Sequence, residues 1–168
     1  LDISSNYAGA SNQGSEAIAD MLKKNGVLVK LDTSNNMLCA QGTKLIAAAL
    51  KNNQTMTELN LANNYLGLND VPVDRRSGSA DMSGVIAISE AIPTMGALTS
   101  LNISNNALVS KKNVITKEKT YTADSDGEEY TASDEETDKV LDYSGVQALA
   151  DSIKKNEALL SVNLLNNN

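Results

Sequence analysis

The chain has 168 residues, a formal net charge of -7 and 41% hydrophobic residues, which suits one globular domain. It has no histidine and a single cysteine, so the usual general base, the commonest neutral metal ligand and an internal disulfide framework are excluded. No stretch reaches the roughly 18 apolar residues of a membrane span, and no signal segment is visible. An acidic chain also opposes binding to a nucleic-acid backbone.

The first predicted element is a short strand, and its apolar pattern recurs along the chain as L-x-x-L-x-L-x-x-N. The chain opens inside the first copy, and the next three read LVKLDTSNN, MTELNLANN and LTSLNISNN. A fifth copy, LLSVNLLNN, stands near the last residue. The copies end in five asparagines: Asn6, Asn36, Asn64, Asn106 and Asn167.

A helix is predicted between each pair of strands, because a glycine is followed by apolar residues four and eight positions later. These glycines are Gly14, Gly42, Gly84 and Gly145. Each of these glycines lies 14 residues before the first apolar residue of the next strand. The distance from the preceding repeat asparagine to the glycine varies, at 8, 6, 20 and 39 residues. All insertions therefore fall between strand and helix, at about 68–80 and 109–141.

These motifs resemble the leucine-rich repeat family, and specifically its ribonuclease-inhibitor-like class, which places a strand and a full helix in about 28 residues. The stretch DMSGVIAISEAIPTMGALTSLNIS is similar to repeats in leucine-rich proteins of unicellular algae and other protists. The resemblance implies an α/β solenoid over residues 1–168, with a curved parallel sheet on the concave side and helices on the convex side. About five strands and four helices are expected.

Several residues are expected to end or begin the helices. Asn25, Asn53 and Asn156 suit the left-handed conformation that terminates a helix. The expected N-cap positions are Ser11, Cys39, Asp81 and Asp142. For Cys39, a small residue near a helix start is weighed against a reactive thiol.

The repeat asparagines are expected to turn inward and satisfy loop amides between adjacent repeats. On the concave face, the column between the second and third apolar positions reads Asp2, Asp32, Asn60, Asn102 and Asn163. We take Asp32, Asn60 and Asn102 as candidate binding residues on this small polar surface. The alternative is that the column is simply solvated.

The first insertion holds the only two arginines, Arg75 and Arg76. They are candidates for contact with an acidic partner, because arginine forms bidentate bonds with carboxylates. The alternative is an exposed polar loop.

The second insertion changes from basic to acidic along its length. Lysines are concentrated near its start and nine acids lie in residues 121–142. Alternating β-branched and aromatic residues around DSDG favour a hairpin, although disorder is the competing interpretation. An EF-hand is excluded by Thr122 and Ser133 at its first and last positions, while loose cation binding stays open. The candidate binding residues here are Lys111, Lys112, Tyr121 and Tyr130.

The sequence therefore predicts a non-catalytic protein-interaction module or scaffold without cofactor or metal, binding through the inserted loops and the concave face. The alternatives are a structural subunit of a larger assembly and a ligand-sensing domain of a receptor. Because no further helix follows LLSVNLLNN, we expect a fragment of a longer chain or a module that associates end to end. An intracellular, cytoplasmic location is expected.

Overall fold

A computed structural model describes residues 1–72, 79–123 and 130–167, and for residues 110–140 it describes the backbone alone. The chain divides into two compact units. The first comprises Leu1–Ser110 and Tyr143–Asn168, and the second comprises Lys111–Asp142.

The first unit contains a parallel sheet of four very short strands: β1 (Lys30–Asp32), β2 (Glu58–Asn60), β3 (Ser100–Asn102) and β6 (Ser161–Asn163). Neighbours follow in the order β1-β2-β3-β6. Leu31, Leu59 and Leu101 align with Val162 in one row. The repeat register that the sequence predicts is thus the register of the sheet, because equivalent residues lie side by side.

A helix precedes each of these strands in the chain: α1 (Asn12–Lys24), α2 (Cys39–Leu50), α3 (Ser83–Ala91) and α4 (Ser144–Lys155). Each packs against the next. The third is the shortest, and a 3-10 turn over Ile92–Thr94 replaces its last turn. Pro93 explains this ending, since it lacks the amide that a continuing helix needs.

The core lies between the sheet and the helices, where each repeat contributes a similar set of aliphatic side chains. Leu59, Ile88 and Leu98 are among the fully buried ones. Thr33 is an exception, because it occupies a position held by Leu61 in the next repeat, and its buried hydroxyl has no hydrogen-bond partner. The buried aliphatic side chains form one continuous cluster along the repeats. This is expected when each repeat buries its apolar face only against its neighbours.

The first predicted strand is reduced to one residue. Asp2 forms a single parallel bridge with Asp32, although Ile3 N–H also donates to Asp32 O at 2.9 Å. The sheet thus has four strands where five were expected, and the first segment contributes a single bridging residue.

The expected left-handed helix endings were wrong. Asn25 has φ -96° and Asn156 has φ -89°, both extended, whereas Asn52 has φ 66°. Asn25, Asn53 and Asn156 instead use their side-chain oxygens, which accept the N–H groups two and three residues later at 2.7–3.0 Å. These asparagines therefore shape the turn that leads into the next strand.

The N-cap expectations have mixed outcomes. Ser11 occupies the cap position of α1 without a side-chain hydrogen bond. Asp81 lies one residue before the cap of α3, and its Oδ1 accepts the Ser83 N–H at 2.9 Å. Cys39 is itself the first residue of α2, with φ 51°. Asp142 likewise lies one residue before Tyr143, the cap of α4.

The two insertions differ in kind. The stem of the first is closed by an antiparallel bridge between Leu68 and Ala80, and Asn69 N–H donates to Ser79 O at 2.8 Å. The second insertion forms the second unit, in which β4 (Ser110–Ala123) pairs with β5 (Tyr130–Asp142) in a two-stranded sheet. Of the two alternatives for this segment, the structure has the paired strands.

Candidate functional site

The repeat asparagines form a hydrogen-bonded ladder through the first unit. Asn64 is fully buried, and its Nδ2 donates to Thr33 O, Leu61 O and Ala62 O at 2.9–3.2 Å. Its Oδ1 accepts the N–H of Asn36 at 2.8 Å. Each such side chain thus joins the backbone of its own repeat to that of the preceding one.

The same exchange recurs in the other repeats. Asn36 Oδ1 accepts the N–H of Asn6 at 3.1 Å, Asn106 Oδ1 accepts that of Asn64 at 2.7 Å, and Asn167 Oδ1 accepts that of Asn106 at 2.6 Å. Buried backbone groups that lack partners are costly, at about 1–3 kcal/mol each. The ladder therefore fixes the stacking of the repeats and leaves the solvent-facing side chains on a rigid support.

The sheet face brings together the three candidate binding residues that the sequence placed there. Asn60 Nδ2 donates to Asp32 Oδ2 at 2.8 Å, so these two side chains are already paired. The Oδ1 atoms of Asp32, Asn60 and Asn102 each accept the N–H two residues later, at 2.9–3.1 Å. The Oδ1 atoms of these three residues thus stabilise the turns at the strand ends. The same residues also line a shallow depression of about 400 Å³.

The charges on the sheet face lie in its first three repeats. Lys30 Nζ lies 2.6 Å from Glu58 Oε1, and both side chains are about half exposed. At the first repeat, the Ser4 N–H that donates to Asp2 lowers the pKa of that carboxyl. The depression is therefore lined by three acidic side chains, Asp2, Asp32 and Glu58, and one basic side chain, Lys30.

The candidate residues of the two insertions are only partly described. Arg75 and Arg76 lie outside the described residues. Lys111, Lys112 and Tyr121 fall in β4, and Tyr130 begins β5, but their side chains lie outside what the structure describes.

A second row of side chains, absent from the sequence predictions, stands where the strands turn toward the helices. In each of three repeats, the first residue of the row has φ 56–58° and the second has φ 54–57°. We call this the turn row: Ser5, Tyr7, Asn35, Met37, Asn63, Tyr65 and Asn105, which together line a groove of about 450 Å³. The doubled asparagines in SNN and ANN were the available signal, since asparagine tolerates the left-handed region.

Cys39 behaves as a structural residue. It is only 6% exposed, and burial, with a smaller contribution from the charge of Asp70, raises the pKa of its thiol to about 11. The thiolate is the reactive form of cysteine. Cys39 is therefore held in the unreactive thiol form at neutral pH.

The part of the chain that the structure describes has neither a metal-binding cluster nor a membrane-spanning helix. That part of the chain has no group of three or more acidic or cysteine side chains arranged to hold a metal ion. None of its helices is both long and apolar enough to cross a membrane.

Comparison with known proteins gives a likeness of fold. No protein-family model matches the chain, and no curated protein sequence matches it. Among solved structures, the chain is similar to one described as leiomodin-1 actin-binding site 2, with a TM-score of 0.59 and 18% identity. The match covers 97% of this chain and 69% of the other. The mixed α/β architecture of four helices on a small parallel sheet is thus shared with a solved protein domain.

Proposed function

We propose that the chain is a non-catalytic protein-binding module of the leucine-rich repeat class, resembling the ribonuclease-inhibitor-like members. The observation that carries the proposal is the asparagine ladder. It holds the backbone of each repeat in the same arrangement and does not depend on which side chains are exposed on the surface. Such a support suits binding, because residues held rigidly before contact lose less freedom when a partner docks. The same proposal places the protein in the cytoplasm.

Actin is the first partner to test, because the structurally similar leiomodin domain is described as an actin-binding site. Purified chain would be sedimented with actin filaments, and its binding to monomeric actin would be measured by fluorescence anisotropy. We expect saturable binding to one of the two forms. An absence of binding to both would reject actin as the partner.

Within this proposal, the inserted loops carry part of the binding surface, through Arg75 and Arg76 in the first and residues 110–140 in the second. A matched variant tests the second loop. Replacement of residues 110–144 by Ala-Gln restores the spacing of six residues found between Asn36 and Gly42. We expect this variant to lose actin binding, whereas full binding by the variant would place the contact elsewhere.

The second candidate is a structural subunit that associates through its last repeat. Leu160 is 85% exposed and Leu165 is 69% exposed beside β6, and Val146 of α4 is 38% exposed. In the described part of the chain, the outer edge of β6 pairs with no other strand. Light scattering over a range of concentrations distinguishes the two candidates, since the subunit would self-associate and the module would stay monomeric.

A further inference from the structure

The turn row presents bulky side chains where the backbone conformation does not favour them. Tyr7 has φ 54°, Met37 has φ 57° and Tyr65 has φ 57°. Bulky residues rarely adopt this left-handed region, whereas asparagine adopts it readily. The preceding left-handed positions in the second and third repeats, Asn35 and Asn63, follow the favourable choice. The tyrosines and the methionine are therefore held at a conformational cost that asparagine at the same positions would avoid.

The exposed chemistry of the row is that of a binding surface. Tyr7 is 66% exposed, and Met37 and Tyr65 are partly exposed beside it. The side-chain amides of Asn35 and Asn63 make no hydrogen bond to any other residue that the structure describes. Tyrosine supplies rigid amphipathic contact area at low entropic cost, and serine and asparagine supply adaptable hydrogen bonds, as in antibody binding loops.

The row also lacks charge, although the chain carries a net charge of -7. The depression on the sheet face differs in this respect, because it contains Asp2, Lys30, Asp32 and Glu58. A charged partner would gain more at the sheet face, while a neutral one would avoid desolvating those groups at the turn row. The two surfaces are thus suited to partners of different charge.

We infer that the turn row is a docking surface for an uncharged, extended segment of a partner protein. Tyr7, Met37 and Tyr65 contact the apolar side chains of that segment. The amides of the asparagines bind its backbone, because each offers both a donor and an acceptor. This inference rests on the proposed protein-binding function and names the surface and the kind of partner.

The test uses a double variant, Tyr7→Asn with Tyr65→Asn, which removes both aromatic rings and substitutes the residue that best tolerates the left-handed backbone. Its melting temperature is expected to equal or exceed that of the unchanged chain. The matched control, Asp32→Asn with Glu58→Gln, removes two charges from the sheet face and leaves the turn row intact.

The probe is a displayed library of random peptides of about twelve residues, selected on the unchanged chain. We expect enriched peptides without net charge, whose Kd rises about tenfold or more on the tyrosine variant and stays the same on the control. Their affinity should also be insensitive to salt between about 50 and 500 mM, because no ion pair is formed.

Three outcomes would overturn the inference: enrichment of cationic peptides that lose affinity for the control variant, unchanged affinity for the tyrosine variant, or no enrichment. Actin sedimentation with both variants separates this failure from that of the proposed function. Binding of the selected peptides at full affinity by the tyrosine variant rejects the turn row alone, whereas actin binding by the same variant leaves the proposed function standing. An absence of any binding to either probe counts against both.

Discussion

Asn63 and Asn64 are adjacent residues of one type in opposite environments. Asn63 is exposed at a left-handed position, whereas Asn64 is fully buried and donates its amide hydrogens to three carbonyl groups. The sequence predicts the inward role of Asn64 because its position recurs after every strand. It does not predict the use of the side chain of Asn63, because a turn of this conformation accepts asparagine whether or not the side chain binds anything.

This contrast gives a matched pair of substitutions with identical changes in charge. Asn64→Asp replaces a donor with a carboxylate that faces three carbonyl oxygens, so we expect a loss of at least ~3 kcal/mol in the free energy of unfolding. Asn63→Asp keeps a residue that tolerates the left-handed region, and we expect a change within ~0.5 kcal/mol. Urea denaturation of both variants measures the difference. Equal losses in the two would show that the ladder does not hold the repeats together.

At the level of elements, helix packing explains why residue 42 is a glycine, whereas the repeat pattern alone does not. A Cβ atom added at Gly42 in α2 would lie 2.5 Å from Ser15 Oγ in α1 and 3.3 Å from Leu38 Cβ. The hydroxyl of Ser15 is buried without a hydrogen-bond partner. The close approach of the two helices therefore depends on this pair of small residues.

A double-mutant cycle tests that dependence. Gly42→Ala should gain ~1 kcal/mol in helix propensity but lose more through the clash, so we expect net destabilisation. Ser15→Ala removes the unpartnered hydroxyl and should be neutral or slightly stabilising. In the double variant the 2.5 Å contact with Ser15 Oγ is removed, and we expect a favourable coupling energy of at least ~1 kcal/mol. Thermal unfolding of the four proteins measures the coupling, and additive effects would contradict the packing argument.

Much of the arrangement of elements could be predicted from the sequence, because one spacing recurs. The 14-residue interval after each helix glycine places β1, β2, β3 and β6, and the structure aligns those strands residue by residue. Helix endings were harder to predict, because asparagine both adopts the left-handed region and accepts loop amides through its side chain. The turn row could not be derived from the periodicity of apolar residues, because that periodicity describes the core and not the backbone angles of the connecting turns.

At the scale of the whole molecule, the chain combines a repetitive unit with a separate unit over Lys111–Asp142. The repeats before and after that unit pair in register, since Leu101 in β3 aligns with Val162 in β6. The core therefore continues across the interruption in sequence. Loop-closure entropy grows slowly with length, so a long insertion between two paired strands costs little stability.

Replacement of residues 110–144 by Ala-Gln tests this small stability cost quantitatively. The variant keeps the aligned rows of β3 and β6 and shortens the connection between them, so loop closure becomes slightly less costly. We expect the midpoint of thermal unfolding, followed by circular dichroism, to stay within a few degrees of that of the full chain. A variant that carries the same replacement, and in which residues 98–106 of the fourth repeat are changed to alternating Gly and Ser, should fail to fold. If the first replacement alone abolishes cooperative unfolding, the second unit must contribute to the stability of the repeats.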